Sequence, residues 1–193
     1  MLTYTDFQFA AAPGTSHAWI LEAIKCAQYP VQMGNSFQVH QPFPEDYLFH
    51  RLTCVRHPEA WLSAVYNDGR GLSVSGTTPV TELCKLAKSC DSFAEFVEDI
   101  ILKYPGAVGR SFSIYRATSV IREEDLPWSL IGFLSLMKEV PAGTFHQIVS
   151  LPIPGRGENK MRVLKRQPEE LSLKLYHRLM DSEEEYCDRY EYH

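Results

Sequence analysis

FQFAAAPGTSHAWILEAIKCA, running from Phe7 to Ala27, is the stretch whose reading decides the fold. Phe7 and Phe9 alternate with smaller or polar neighbours, the period of a short strand entering a sheet. Pro13 and Gly14 break that strand, and Thr15 and Ser16 bring hydroxyls to the point where a helix begins. Trp19, Ile20, Ala23, Ile24 and Ala27 then follow the spacing of one helix face. A strand, a tight hydroxyl-bearing loop and a helix N-terminus form an anion-binding geometry. Backbone N–H groups without helical partners and the positive end of the helix dipole point into such a loop. An ordinary strand-to-helix turn with a capping Thr or Ser is the plain alternative.

The rest of the chain repeats the alternation of strand and helix. Leu48 to Val55 reads as a strand that ends at Arg56-His57-Pro58, with Pro58 suited to the first turn of a helix burying Trp61, Leu62 and Val65. Ser36 to Val39 reads as a short strand before it. Residues 67–91 open as a Gly/Ser/Thr loop with a short helix from Pro79 to Ala87. A loop of that length predicts a lid or an acceptor-side element. Ser92 and Glu95 form a capping box ahead of the stripe Phe93, Phe96, Val97, Ile100 and Ile101. A helix is expected over Val108 to Tyr115 and a strand over Ser119 to Arg122. Another helix should present Trp128, Ile131, Leu134 and Met137. Residues 141–160 read as loop-rich, and a long helix from Pro168 to about Tyr190 should turn Leu171, Leu175 and Leu179 inward.

This order predicts an α/β protein, a single-domain, P-loop-like, three-layer fold over residues 1–193 with a mainly parallel sheet. In such sheets ligands bind at the carboxyl ends of the strands. Pro13 to Thr15, His40, Arg56 and Glu123 all follow expected strands.

Composition bounds the function. A net charge of −5 gives no global positive field for nucleic acid or anionic membrane, so any anion site must be local. Five cysteines without CxxC spacing read as reduced thiols of a cytoplasmic protein, and no His/Cys/Asp cluster has metal-ligand spacing. No stretch has the pattern of a signal peptide or the length of a membrane span. The loop lacks the GxxxxGK[ST] of nucleotide kinases.

Pro13 to Ile20, PGTSHAWI, resembles the PKxGTTWL phosphosulfate loop of sulfotransferases that use 3′-phosphoadenosine 5′-phosphosulfate (PAPS). Pro13, Thr15 and Trp19 match in place. Gly14 stands at the family's lysine position, and Ser16, His17 and Ala18 replace Gly-Thr-Thr. Leu52 to Tyr66, LTCVRHPEAWLSAVY, is similar to the family's strand followed by RxPxxxxxSxY, with Arg56, Pro58 and Tyr66 matching. The serine is displaced: the family's position is Ala64, and Ser63 precedes it. One residue turns a helical side chain by about 100°. Val120 to Leu126 resembles the family's late strand and its RxEDL-like end. FVEDIILKYPG and the tyrosine-rich terminal helix are similar to bacterial and phage members.

The resemblance implies PAPS, or its product 3′,5′-ADP, as the ligand, without a metal, and a hydroxyl or amine on a small-molecule or glycan acceptor. It implies phosphosulfate binding by the Pro13 to Trp19 loop and 3′-phosphate binding by Arg56 and Ser63. Arg156 and Asn159 would close over the nucleotide. His40 would be the base, and His17, Arg51 or Arg122 would supply the charge that the family's lysine supplies. Gly14 and Ala64 leave open the alternative of a non-catalytic module binding the same nucleotide.

Overall fold

The computed structural model describes residues 1–4, 6–29, 32, 40, 42, 50–70, 78–137, 140–153 and 171–192. The expected strand at Ser36 to Val39 lies outside them, as do Arg156, Asn159 and the centre of the 67–91 segment. The chain forms two compact units: Met1–Val55 with Tyr115–Lys165, and Arg56–Ile114 with Arg166–His193.

The first unit is α/β. Its strands are β1 (Leu2–Thr3), β2 (Phe7–Phe9), β3 (His50–Val55) and β4 (Ser119–Arg122), in spatial order β1-β2-β3-β4. β2, β3 and β4 are parallel and β1 is an antiparallel edge. The carboxyl ends of the parallel strands, Phe9, Val55 and Arg122, therefore share one edge of the sheet. Period two places Phe7, Phe9, Leu52, Cys54 and Ile121 on one face. There they join a core with Trp19, Ile20, Ala23 and Ile24 of α1 (His17–Cys26) and Leu130, Phe133 and Leu134 of α6 (Trp128–Met137). Ile148 of α7 (Ala142–Ser150) completes it. Each such side chain taken from water contributes about 1.5–3 kcal/mol.

The opposite face of the strands carries polar side chains beside Val55 and Val120. Gln8 is fully buried with both amide atoms unpaired, as are the Nε of Arg51 and the hydroxyl of Thr53. Gln8 and Arg51 are register partners on adjacent strands.

The second unit is helical in its described residues: α2 (Pro58–Gly69), α3 (Pro79–Ser89), α4 (Phe93–Lys103), α5 (Ala107–Ser113), α8 (Leu173–Ser182) and α9 (Glu184–Tyr190). Pro58 opens α2, and Trp61, Leu62 and Val65 are buried. Gly69 lets α2 approach α3, since a Cβ there would stand 3.0 Å from the Cys84 Sγ. Thr78 caps α3 by accepting from the Thr81 N–H. Ser92 accepts from the Glu95 N–H at 3.1 Å, while the Glu95 carboxylate reaches back to the Asp91 N–H at 2.8 Å, one residue before the expected box partner.

Three elements depart from the sequence reading. Residues 142–150, read as loop, are α7. In α6, Leu134 is buried and Ile131 and Met137 pack against the core as expected, joined by Leu130 and Phe133, while Trp128 is 66% exposed. WSLIGFLSLM is apolar nearly all round, so periodicity alone does not fix its phase. The long terminal helix is broken at Glu183 into α8 and α9. There the buried Glu183 carboxylate accepts from the N–H groups of Val108 at 3.0 Å and Gly109 at 3.1 Å. Burial pushes its pKa above the ordinary carboxylate value, against the pull of those N–H bonds.

Candidate anion-binding loop

The chain leaves β2 through Ala10, Ala11 and Ala12, all fully buried, and turns at Pro13 and Gly14. Gly14 has φ +82, in the left-handed region where a side chain is strained. The position aligned with the family's lysine is thus one that the backbone reserves for glycine. The Thr15 hydroxyl donates to the Ala12 carbonyl at 2.8 Å and locks the turn. Thr15 and Ser16 are each 8% exposed.

Ser16 is the N-cap residue of α1, but its side chain makes no capping bond, and the first turn of α1 holds no acidic residue. The cap comes from far along the chain. The Ser16 N–H donates to the Glu123 carboxylate at 2.8 Å. Glu123 opens the short 3-10 helix Glu123–Asp125 directly after β4. The opposition of a carboxylate and a helix N-terminus is electrostatically favourable. Sequence reading places Glu123 after a strand and misses this contact, because nothing local signals a partner 107 residues away.

Two histidines border the loop. His40 Nδ1 lies 2.7 Å from the Ala11 carbonyl and His17 Nδ1 lies 3.2 Å from the Thr15 carbonyl. A carbonyl only accepts, so in both rings Nδ1 carries the hydrogen, and each neutral ring keeps its lone pair on Nε2. The rings meet edge to face with centroids 4.6 Å apart. Burial first, and the charge of His40 second, hold the His17 pKa below the ordinary histidine value, while its bond to Thr15 opposes them. The free protein therefore favours neutral His17 over the cation expected to replace the missing lysine. The Tyr115 hydroxyl, kept protonated by burial, donates to the His40 carbonyl at 3.3 Å. Trp19 Nε1 donates to the Leu151 carbonyl at 3.5 Å. Ala18 is an exposed first-turn residue of α1.

Of the other expected cations, Arg122 is paired with Asp125 at 2.6 Å. Arg51 is half-buried in β3, with its backbone N–H donating to the Thr118 hydroxyl at 2.9 Å.

The expected 3′-phosphate residues belong to the second unit. Arg56 follows Val55 in the chain and is half-buried, with its backbone held by one side chain. The Tyr186 hydroxyl donates to the Arg56 carbonyl at 2.8 Å and accepts from the Arg56 N–H at 3.4 Å. Ser63, on α2, is half-buried, and its carbonyl and hydroxyl accept from Asn67 Nδ2 at 2.8 and 3.4 Å. His57, the N-cap residue of α2, stacks on Tyr176 with centroids 6.1 Å apart. A separate cavity of about 420 Å³ in this unit is lined by Arg110, Glu183, Tyr186, Arg189 and their neighbours, and includes none of the expected site residues.

Among the described residues, no group of three or more His, Cys, Asp or Glu side chains is arranged to hold a metal ion, and no helix is long and apolar enough to cross a membrane. Comparison with known proteins found no matching family model, no matching curated protein and no matching solved structure.

Proposed function

We propose that the chain is a P-loop-like sulfotransferase that binds PAPS and transfers its sulfuryl group to a hydroxyl or amine of a small-molecule or glycan acceptor. The observation that carries the reading is the Ala12 to Ser16 turn, held by Thr15 and Gly14, at the carboxyl edge of a parallel sheet and at the N-terminus of α1. The resemblance of Pro13 to Trp19, and of the segment from Leu52 to Tyr66, supplies the ligand class.

In this reading the Pro13 to Trp19 loop takes the phosphosulfate. The resemblance assigns the 3′-phosphate to Arg56 and Ser63. The acceptor oxygen attacks sulfur in line, and a new S–O bond forms as the bond from sulfur to the bridging oxygen breaks. The electron pair leaves with 3′,5′-ADP, and the acceptor proton passes to His40 Nε2, the lone pair left by the Ala11 bond. Anion binding raises the pKa of His17, because an opposite charge favours the imidazolium. His17 then gains its proton with the ligand and faces the charge developing on the leaving oxygen.

Calorimetric titration with 3′,5′-ADP, PAPS and ATP tests the reading. Tight binding of the first two and weak binding of ATP is expected. At 100 times its dissociation constant, 3′,5′-ADP should add about 2.7 kcal/mol to the stability of the fold. Equal binding of all three, or of none, removes it.

The second reading, a non-catalytic module for the same nucleotide, is favoured by the left-handed Gly14 and by the preference of His17 for its neutral form. Its signature is PAPS binding without sulfuryl transfer or PAPS hydrolysis.

A further inference from the structure

We propose that the sheet face carrying Gln8, Arg51 and Thr53 binds a small carboxylate, held by the Arg51 guanidinium together with the Gln8 carboxamide and the Thr53 hydroxyl. The proposal goes beyond the sulfotransferase reading and does not rest on it, since none of the three residues belongs to the Pro13 to Trp19 loop.

The three side chains meet on one face. Gln8 of β2 and Arg51 of β3 are register partners, and Thr53 follows Arg51 by two residues, so period two turns all three the same way. Both amide atoms of Gln8, the Nε of Arg51 and the hydroxyl of Thr53 are shut off from water and make no hydrogen bond. Arg51 bonds to Thr118 through its backbone alone, and among the described residues no carboxylate pairs with its guanidinium. Buried polar groups without partners are rare in folded proteins, and a cluster of them on neighbouring residues points to an occupant.

The donors define the chemistry of that occupant. The Nε–H and a terminal N–H of a guanidinium form a parallel pair that a carboxylate accepts with both oxygens. A carboxylate has about four acceptor sites, and the Gln8 amide N–H and the Thr53 hydroxyl fill the other two. One positive charge balances a monoanion, whereas a sulfate or phosphate dianion would leave an uncompensated charge among buried groups. The Gln8 carbonyl oxygen is left to accept from a hydroxyl next to the carboxylate, as in glycolate. Gln8 is fully buried and Arg51 only half-buried, so the way in passes Arg51.

The test is an NMR titration of the 193-residue chain with sodium glycolate, sodium sulfate and sodium chloride at constant ionic strength, following the Gln8 side-chain amide. The expected result is a saturable shift of that resonance with glycolate and none with sulfate or chloride. Arg51→Gln should weaken glycolate at least about tenfold, through loss of a charge-assisted pair of bonds. Thr53→Val should weaken it about three- to tenfold while leaving the ligand-free protein no less stable, because the hydroxyl has a partner only when the ligand is bound. A Gln8 resonance that glycolate leaves unmoved, as when ordered water already satisfies the amide, overturns the proposal. Sulfate bound as tightly as glycolate, or undiminished glycolate affinity in Arg51→Gln, does the same.

Discussion

The imidazole rings of His17 and His40 meet edge to face, with their centroids 4.6 Å apart beside the loop that opens α1. Burial and the charge of His40 hold the His17 pKa down. The unfolded chain, where neither acts, therefore binds a proton more readily than the folded one. Stability should rise with pH across the ordinary histidine range and fall as pH drops through it. His17→Gln should flatten that fall. Chemical denaturation from about pH 8 to about pH 5 measures it. Identical pH dependence in the two proteins would show that His17 contributes nothing.

Gly14 gives a second expectation. At φ +82, any side chain adds strain, so Gly14→Ala and Gly14→Lys should each cost about 1–3 kcal/mol. Similar losses in the two variants identify the backbone as the cause, whereas a loss confined to lysine points to its charge or length. Placing the lysine of the sulfotransferase loop at this position should therefore lower stability before any gain in the proposed sulfuryl transfer can be read.

Arg56→Ala should weaken 3′,5′-ADP binding by about ten- to a hundredfold, in line with one or two charge-assisted hydrogen bonds, and leave 5′-AMP nearly unchanged. Ser63→Ala should show the same selectivity at smaller size, because Asn67 already donates to its hydroxyl. The affinities of both nucleotides for wild type and variant form a closed cycle. Equal losses for both would make Arg56 structural, a role consistent with the grip of Tyr186 on its backbone.

Thr53 is 2% exposed and its hydroxyl has no partner. Thr53→Val keeps the shape and removes the unpaired group, so stability should rise by about 1 kcal/mol. Urea denaturation checks the sign. A loss would mean that the hydroxyl is satisfied in solution by a group the polar sheet face recruits.

Local signals read well where the periodicity was clean and the caps lay nearby. β2, β4, α2, α4 and the loop before α1 stood at or within a residue or two of their expected places, as did the buried faces of α1 and α2. Other features depended on distant partners. The two-residue β1 is too short to show a period and exists by pairing with β2. Residues 141–160 read as loop-rich, yet α7 runs from Ala142 to Ser150 and buries Ile148 in the core. Glu183, expected inside one continuous terminal helix, is instead a buried cap for α5. Within the candidate site, the glycine turn and the two histidines were legible. The hydrogen bond from Ser16 to Glu123 was not, because it depends on β4 emerging beside the loop.

The bond between Glu183 and the start of α5 also orders events during synthesis. Its acceptor is translated 75 residues after the Val108 amide it serves. At about 5–20 residues per second, that interval is roughly 4 to 15 s. For most of it α2 to α5 have been translated while α8 and α9, which belong to the same unit, have not. Phe112 must wait without Tyr186, the ring it packs against with centroids 5.4 Å apart, so the nascent chain presents an apolar surface that the folded unit hides.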